Sequence, residues 1–274
     1  MYNDLLTIGP VTLHGYGLMI AIGIISALFV SEKRAAKRGL DSDRLYSLVI
    51  WTIVIGLLGA KLLFTITYFK DFLADPAGFI SGSGFTVYGG ILCGIATIAI
   101  YCKVNHISFL DYIDLIIPSV AMAQGFGRIG CLLAGCCYGR ETDSIIGIVF
   151  THSDYAPNGV RLMPTQIMMS LGDFIIAAVL FSFVRAYDKK YMLKNGSDAI
   201  PSNTGGRVTL LYLIMYAFGR FIIEFFRNDY RGNIGILSTS QFIAIVVAII
   251  SAIIYFAVLP KLGKTQTADR PQED

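Results

Sequence analysis

The sequence predicts an all-α fold, a polytopic membrane helix bundle of seven transmembrane helices with its N-terminus outside and its C-terminus inside. Three observations lead there. Of 274 residues 55% are apolar and only 15% charged, where an ordinary soluble domain carries about 25% charged residues. Seven apolar stretches are long enough to cross a bilayer, and Lys and Arg fall on alternate loops. Disorder, a collagen-like fibre and a secreted disulfide scaffold are excluded by the same composition. A net charge of +3 is too small a surplus for a nucleic-acid binder.

A spanning helix needs ~20 mostly apolar residues, because the hydrocarbon core is about 30 Å thick and each helical residue rises about 1.5 Å. The first stretch, 14–31, follows a segment with neither Lys nor Arg and no small-residue cleavage site, so it reads as a retained helix rather than a cleaved signal peptide. The second, 46–68, carries Lys61, and the third, 84–102, opens on Tyr88-Gly89-Gly90. The fourth, 109–134, is the least apolar, with Asp111 and Asp114 early and Gly125, Gly127, Arg128 and Gly130 late. The fifth is 165–184, the sixth, 207–226, contains Arg220 and Glu224, and the seventh is 236–259. Residues 1–262 read as a single transmembrane domain without internal repeats, and 263–274 as a polar cytoplasmic tail.

Cytoplasmic loops retain Lys and Arg. One set of loops and the tail hold Lys33, Arg34, Lys37, Arg38, Arg44, Lys103, Arg185, Lys189, Lys190, Lys194, Arg207, Lys261, Lys264 and Arg270. The other set holds Lys70, Arg140, Arg161, Arg227 and Arg231. The first set is therefore inside. The outward segment from Gly139 to Met163 is long enough for a small cap or gate, or is a plain connector.

An ionisable group at the centre of a membrane helix costs at least ~2.5–3.5 kcal/mol on insertion scales, so it faces a partner, a cavity or a polar substrate. Lys61, Asp111, Asp114, Arg128, Arg220 and Glu224 are in that position. Arg220 and Glu224 are spaced i, i+4, and Arg227 follows seven residues after Arg220, which places all three on one helical face. That face either binds an anion or holds a packing ion pair. Asp111 suits a helix N-terminus, and Asp114 lies one turn deeper. From Gly125 to Arg140 five glycines loosen the helix and admit close backbone approach, while Arg128 supplies a guanidinium fork suited to phosphate.

These segments carry a resemblance. His14-Gly15-Tyr16-Gly17-Leu18-Met19, Gly59-Ala60-Lys61, Tyr88-Gly89-Gly90, the run from Asp114 to Gly139 with its Gly-Arg-Ile-Gly core, Pro164-Thr165-Gln166 and Gly219-Arg220-Phe221-Ile222-Ile223-Glu224-Phe225-Phe226-Arg227 together resemble the prolipoprotein diacylglyceryl transferase family, in family order from about residue 12 to 245. The resemblance implies a catalytic transmembrane domain in a bacterial cytoplasmic membrane, with its active site toward the outer face. It implies transfer of the diacylglyceryl group of phosphatidylglycerol to the lipobox cysteine thiol of preprolipoproteins, with formation of a thioether. The partners so implied are phosphatidylglycerol, the lipobox segment and the lipid bilayer, with no nucleic acid and no cofactor. Tyr16, Arg128, Gly139, Arg220 and Glu224 fall on family functional positions with their identities intact. Catalytic roles then go to Arg128, Arg220, Glu224, Tyr16 and Tyr88, and substrate contacts to Arg128, Gly89, Gly90, Gly139, Arg227 and Lys61.

Three positions depart from the family pattern. Tyr88 stands where the family has His, Cys131 where it has Asn, and Cys136 where it has Glu. A phenol, with an unperturbed pKa of ~10 against ~6.5 for imidazole, is a hydrogen-bond donor rather than a base. Cys131, Cys136 and Cys137 form a C-x4-C-C run without a nearby histidine, which is not a usual zinc spacing, so no metal is expected. The thiols are packing residues, or they form a disulfide or carry the lipid transiently. The readings that compete with the transferase are a phospholipid-binding or transport protein without catalysis, and a paralogue with a different acceptor.

Overall fold

The computed structural model describes residues 3–9, 11–82, 84–195, 200–228 and 232–260. The expected tail at 263–274 lies outside the described residues. A β-hairpin, β1 (Asp4–Ile8) and β2 (Val11–His14), leads into helix α1 (Gly15–Lys37). Helices α2 (Ser42–Thr67), α3 (Phe69–Ala74), α4 (Pro76–Ser81), α5 (Val87–Val104) and α6 (Phe109–Ala134) follow. A two-residue pair, β3 (Ile148–Val149) with β4 (Arg161–Leu162), precedes α7 (Thr165–Asn195) and α8 (Arg207–Glu224). The short hairpin β5 (Asn233–Ile234) and β6 (Leu237–Ser238) leads into α9 (Thr239–Ile253), which ends in a π-helical turn over Ile254–Val258.

The fold is that of an all-α multi-pass membrane protein. Among the described residues six helices are long and apolar enough to cross a membrane, α1, α2, α5, α6, α7 and α9. The expected sixth span coincides with α8, which carries Arg207, Arg220 and Glu224 within its 18 residues and falls short of that composition. The small hairpins were not anticipated, and α1 and α7 run beyond their apolar stretches to Lys37 and Asn195. Hydropathy marks the part of a helix that suits lipid, whereas backbone hydrogen bonding continues into the polar turns beyond it.

Contacts divide the chain into two units, 1–34 with 113–274, and 35–112. In the first, α1 and α6 are antiparallel neighbours. A side chain at Gly15 would meet Leu133, one at Gly23 would meet Ala123 and Phe126, and at the other end Ser31 Oγ donates to Ser119 Oγ at 2.9 Å. Pro118 sits inside α6 and withholds the N–H that the Asp114 carbonyl would accept. The Arg34 guanidinium fills the gap, donating to the carbonyls of Asp114 and Leu115. Against α6 also pack α7, through Ser170 Oγ on the Gly125 carbonyl and an edge-on Phe126–Phe174 pair, and α8, through Tyr212 Oη on Gln124 Oε1 at 2.8 Å.

Asp114, 2% exposed, anchors the start of α8. Its Oδ2 accepts from Thr204 N and Oγ1 and from Gly206 N, and its Oδ1 from Thr209 N and Oγ1. A carboxylate at the positive end of a helix is stabilised there, so Asp114 is structural. Asp111 lies in the first turn of α6, where Ser108 Oγ accepts from its N–H.

In the second unit Asp41 caps α2, accepting from Asp43 N and Arg44 N. Helices α2 and α5 touch through glycines: a Cβ on Gly89 would lie 2.3 Å from the Gly59 carbonyl oxygen, and one on Gly59 2.4 Å from Cys93 Sγ. Gly90 likewise faces the Gly56 carbonyl. Small residues let helix backbones approach in lipid, and here that close approach is between two helices of the protein. Lys61 Nζ donates to the carbonyls of Phe79, Gly82 and Gly84 at 2.9, 2.8 and 3.4 Å. Its three donors are thus taken up in holding the C-terminal end of α4, ringed by Phe64, Phe79 and Phe85.

Candidate active site

The C-terminal end of α6 is built by one glycine. Gly135 adopts φ +74°, its N–H bonds the Leu132 carbonyl and the Cys136 N–H bonds the Cys131 carbonyl. These are the two bonds of a Schellman motif, in which the residue after the glycine folds back over the residue three before the cap. That residue pair is Cys136 and Cys131. Cys137 follows with φ +59°, a left-handed conformation that costs a non-glycine residue about 1–2 kcal/mol. The three sulfurs lie within 4.8 Å of one another, Cys131 buried and the other two half-buried.

The turn is clamped from α7. Thr165 Oγ1 donates to the Cys137 carbonyl and Gln166 Nε2 to the Cys136 carbonyl, both at 2.8 Å. Gly139 donates to Met163 O and Arg140 to Phe226 O, at 3.1 and 2.9 Å. A Cβ on Gly139 would stand 2.6 Å from Met163 Cβ and from the Phe226 oxygen, so glycine is required there by the protein's own backbone. The segment from Gly139 to Met163 folds into a small cap with a core of Phe150, Ala156 and Leu162, packed on Leu132 and Tyr138.

Around this turn the structure gathers Tyr16, Arg128, Cys131, Cys136, Cys137 and Arg227. The half-exposed Tyr16 ring lies over Gly130, and its hydroxyl is within electrostatic reach of Arg128 and all three cysteines. Arg128 is within electrostatic reach of Tyr216, Cys131, Asp173 and Cys137. Arg227 lies beyond the last residue of α8, paired in a β-bridge with Gly139. The expected single face for Arg220, Glu224 and Arg227 is therefore corrected: the helix ends at Glu224 and Arg227 turns toward Cys137. Hydrogen bonds from the Cys131 and Cys136 thiols, helped by the Arg227 guanidinium, hold the Cys137 thiol well below its ordinary range. Cys136, sharing those hydrogen bonds from the other side and partly desolvated, is pushed up.

Arg220 and Glu224 form a buried pair, Arg220 Nη2 to Glu224 Oε2 at 2.8 Å, and Arg220 also donates to Ser240 Oγ on α9. Lys61, Tyr88, Gly89 and Gly90 belong to the other unit, where Tyr88 is exposed in the first turn of α5. Sequence reasoning passed over Asp173, buried on α7 with Arg128 in reach. It met the criterion applied to the others, an ionisable residue within an apolar span. Tyr212 and Tyr216 were also missed, and a polar residue in a helix gives no comparable signal until its neighbours are known.

Arginines, an acid and a cluster of three thiols thus meet around the end of α6, in an all-α multi-pass membrane protein. The chain belongs to the prolipoprotein diacylglyceryl transferase family, whose model matches residues 3–257. It is 43% identical over 244 residues, 89% of this chain and 92% of the relative, to the phosphatidylglycerol--prolipoprotein diacylglyceryl transferase of Clostridium tetani (strain Massachusetts / E88). It is 41% identical over 260 residues, 94% of this chain and 95% of the relative, to phosphatidylglycerol--prolipoprotein diacylglyceryl transferase 2 of Clostridium perfringens (strain 13 / Type A).

Proposed function

We propose that this chain transfers the diacylglyceryl group of phosphatidylglycerol to the lipobox cysteine of preprolipoproteins, at the outer face of a bacterial cytoplasmic membrane. The observation that carries this reading is the convergence of Arg128, Arg227 and Tyr16 on the end of α6, in a chain that belongs to this family. The reaction leaves a phosphate monoester anion, and guanidinium groups in a water-poor site stabilise such a leaving group. Arg128 and Arg220 act on the phosphate, with Glu224 orienting Arg220 through their ion pair. Tyr16 hydrogen-bonds the head group, Arg227 adds positive charge, and Tyr88 donates a hydrogen bond. Gly139 sets the close backbone approach of the turn to Met163 and Phe226; in the other unit Gly89 and Gly90 set that of α5 to α2, and Lys61 holds the end of α4. Residues 1–262 act as one catalytic domain with seven spans, α8 among them, N-terminus outside.

The test is an in vitro transfer assay with purified protein, phosphatidylglycerol and a lipobox peptide, read by mass spectrometry of the peptide. A diacylglyceryl mass shift on the cysteine, lost in Arg128→Ala, is expected. A folded protein that binds phosphatidylglycerol and gives no shift would overturn the transferase reading. Full activity in Tyr88→Phe would remove Tyr88 from the chemistry.

A further inference from the structure

The three cysteines at the end of α6 have a specific arrangement. The Schellman turn at Gly135 folds Cys136 back over Cys131, and the left-handed backbone at Cys137 brings the third sulfur to the same point. Zinc binds thiolates at about 2.3 Å with tetrahedral angles, which sets neighbouring sulfurs about 3.8 Å apart. The sulfurs lie within 4.8 Å of one another, so about 1 Å of side-chain rotation closes the set. The C-x4-C-C spacing argues against a metal only for an extended loop. Here the cap of a helix supplies the return that a C-x2-C knuckle supplies elsewhere.

We propose that Cys131, Cys136 and Cys137 form a three-thiolate site for a thiophilic divalent cation of the zinc type, whose fourth position receives the acceptor cysteine. Three thiolates and a divalent ion carry one net negative charge, and Arg128 and Arg227 stand within reach to balance it. The turn is held from outside by Thr165 and Gln166, the support that keeps metal ligands oriented. Three protein ligands with an open fourth place are the form of a catalytic rather than a structural site. This role rests on the transferase reading. On binding, the acceptor thiol releases its proton to water. The bound thiolate attacks the terminal glycerol carbon of the diacylglyceryl group, the C–O bond to phosphate breaks, and its electron pair leaves on glycerol phosphate. The neutral thioether is a weak ligand and departs.

The full-length chain in detergent, reduced with a phosphine, is titrated with Co2+ without lipid or acceptor. We expect thiolate-to-metal charge transfer in the near ultraviolet, saturating at about one ion per chain, lost in Cys136→Ser and Cys137→Ser and kept in Cys93→Ser. No charge transfer in the wild type, or a band unchanged in the two turn variants, overturns the site. Addition of a lipobox peptide is expected to change the visible bands, and the peptide with Ala for Cys to leave them alone. A spectrum indifferent to the cysteine peptide overturns the acceptor position. Metal binding without lipid transfer by the zinc-loaded wild type overturns the transferase reading and leaves the metal site standing.

Discussion

Removing the carboxylate of Asp114 should unfold the chain far more readily than it disturbs the chemistry. In Asp114→Ala three backbone N–H groups, those of Thr204, Gly206 and Thr209, lose their acceptor at the start of α8, and two threonine hydroxyls lose theirs. The hydroxyls can turn to other acceptors; the amides cannot. A buried donor left unpaired costs about 1–3 kcal/mol, and the carboxylate's interaction with the helix dipole adds up to ~2 kcal/mol. Allowing for relaxation and one water, the loss is about 3–6 kcal/mol. Asp114→Asn keeps one acceptor oxygen and should lose about half of that. The assay is reversible unfolding in mixed micelles by SDS, followed by helical circular dichroism, with transfer activity measured per folded molecule. A variant Asp114→Ala as stable as the wild type to within about 1 kcal/mol would refute the capping argument. If that variant were stable and inactive, Asp114 would belong to the chemistry.

Five further outcomes rest on the geometry. Gly139→Ala places a methyl 2.6 Å from the Phe226 oxygen and should lose about 1–3 kcal/mol and most activity, whereas Gly172→Ala, with open space around it, should gain up to ~1 kcal/mol in the same unfolding assay. Glu224→Ala, which takes from Arg220 its carboxylate partner and leaves it Ser240, should cost about 3–5 kcal/mol. The double variant Arg220→Met with Glu224→Met should recover most of that stability and still fail to transfer lipid, and recovered turnover would make the pair purely structural. Lys61→Met should lower stability without changing phosphatidylglycerol affinity, measured by native mass spectrometry, because its donors are already committed to carbonyls.

The helices were legible because lipid imposes a composition on them. Their polar extensions were not, since nothing in hydropathy reports where a helix continues into water, and α7 continues to Asn195. Arg128, Tyr16 and the cysteine run were legible as residues that are expensive or unusual in place. What they touch was not. The i, i+7 spacing of Arg220 and Arg227 assumes an unbroken helix, and α8 stops at Glu224 because the chain there turns to bridge Gly139. Gly89 and Gly139 looked like points of approach for a substrate, and approach is indeed what they permit, by Gly59 and by Met163 and Phe226. The spacing of Cys131, Cys136 and Cys137 hid their proximity because a helix cap, not a loop, brings them together.

Helix α8 is the span that composition leaves open, and its neighbours bear on it. Asp114 and Gln124 along α6 meet Thr209 and Tyr212 along α8 in the same order, so the two helices run parallel. Two parallel helices joined through α7 require α7 to cross back between them, and 18 residues at about 1.5 Å each make about 27 Å, close to a hydrocarbon core. The charges sit at the ends: Arg207 at the start, Arg220 and Glu224 paired near the finish. If α8 crosses, cysteines introduced at Asp154 and Asn228 share one side and one at Lys189 lies on the other. In intact cells an impermeant maleimide should label Asp154→Cys and Asn228→Cys at least tenfold more than Lys189→Cys, with lysed cells as the control. Labelling of Asp154→Cys alone would leave α8 on the inner surface and remove the seven-span, N-outside topology with it.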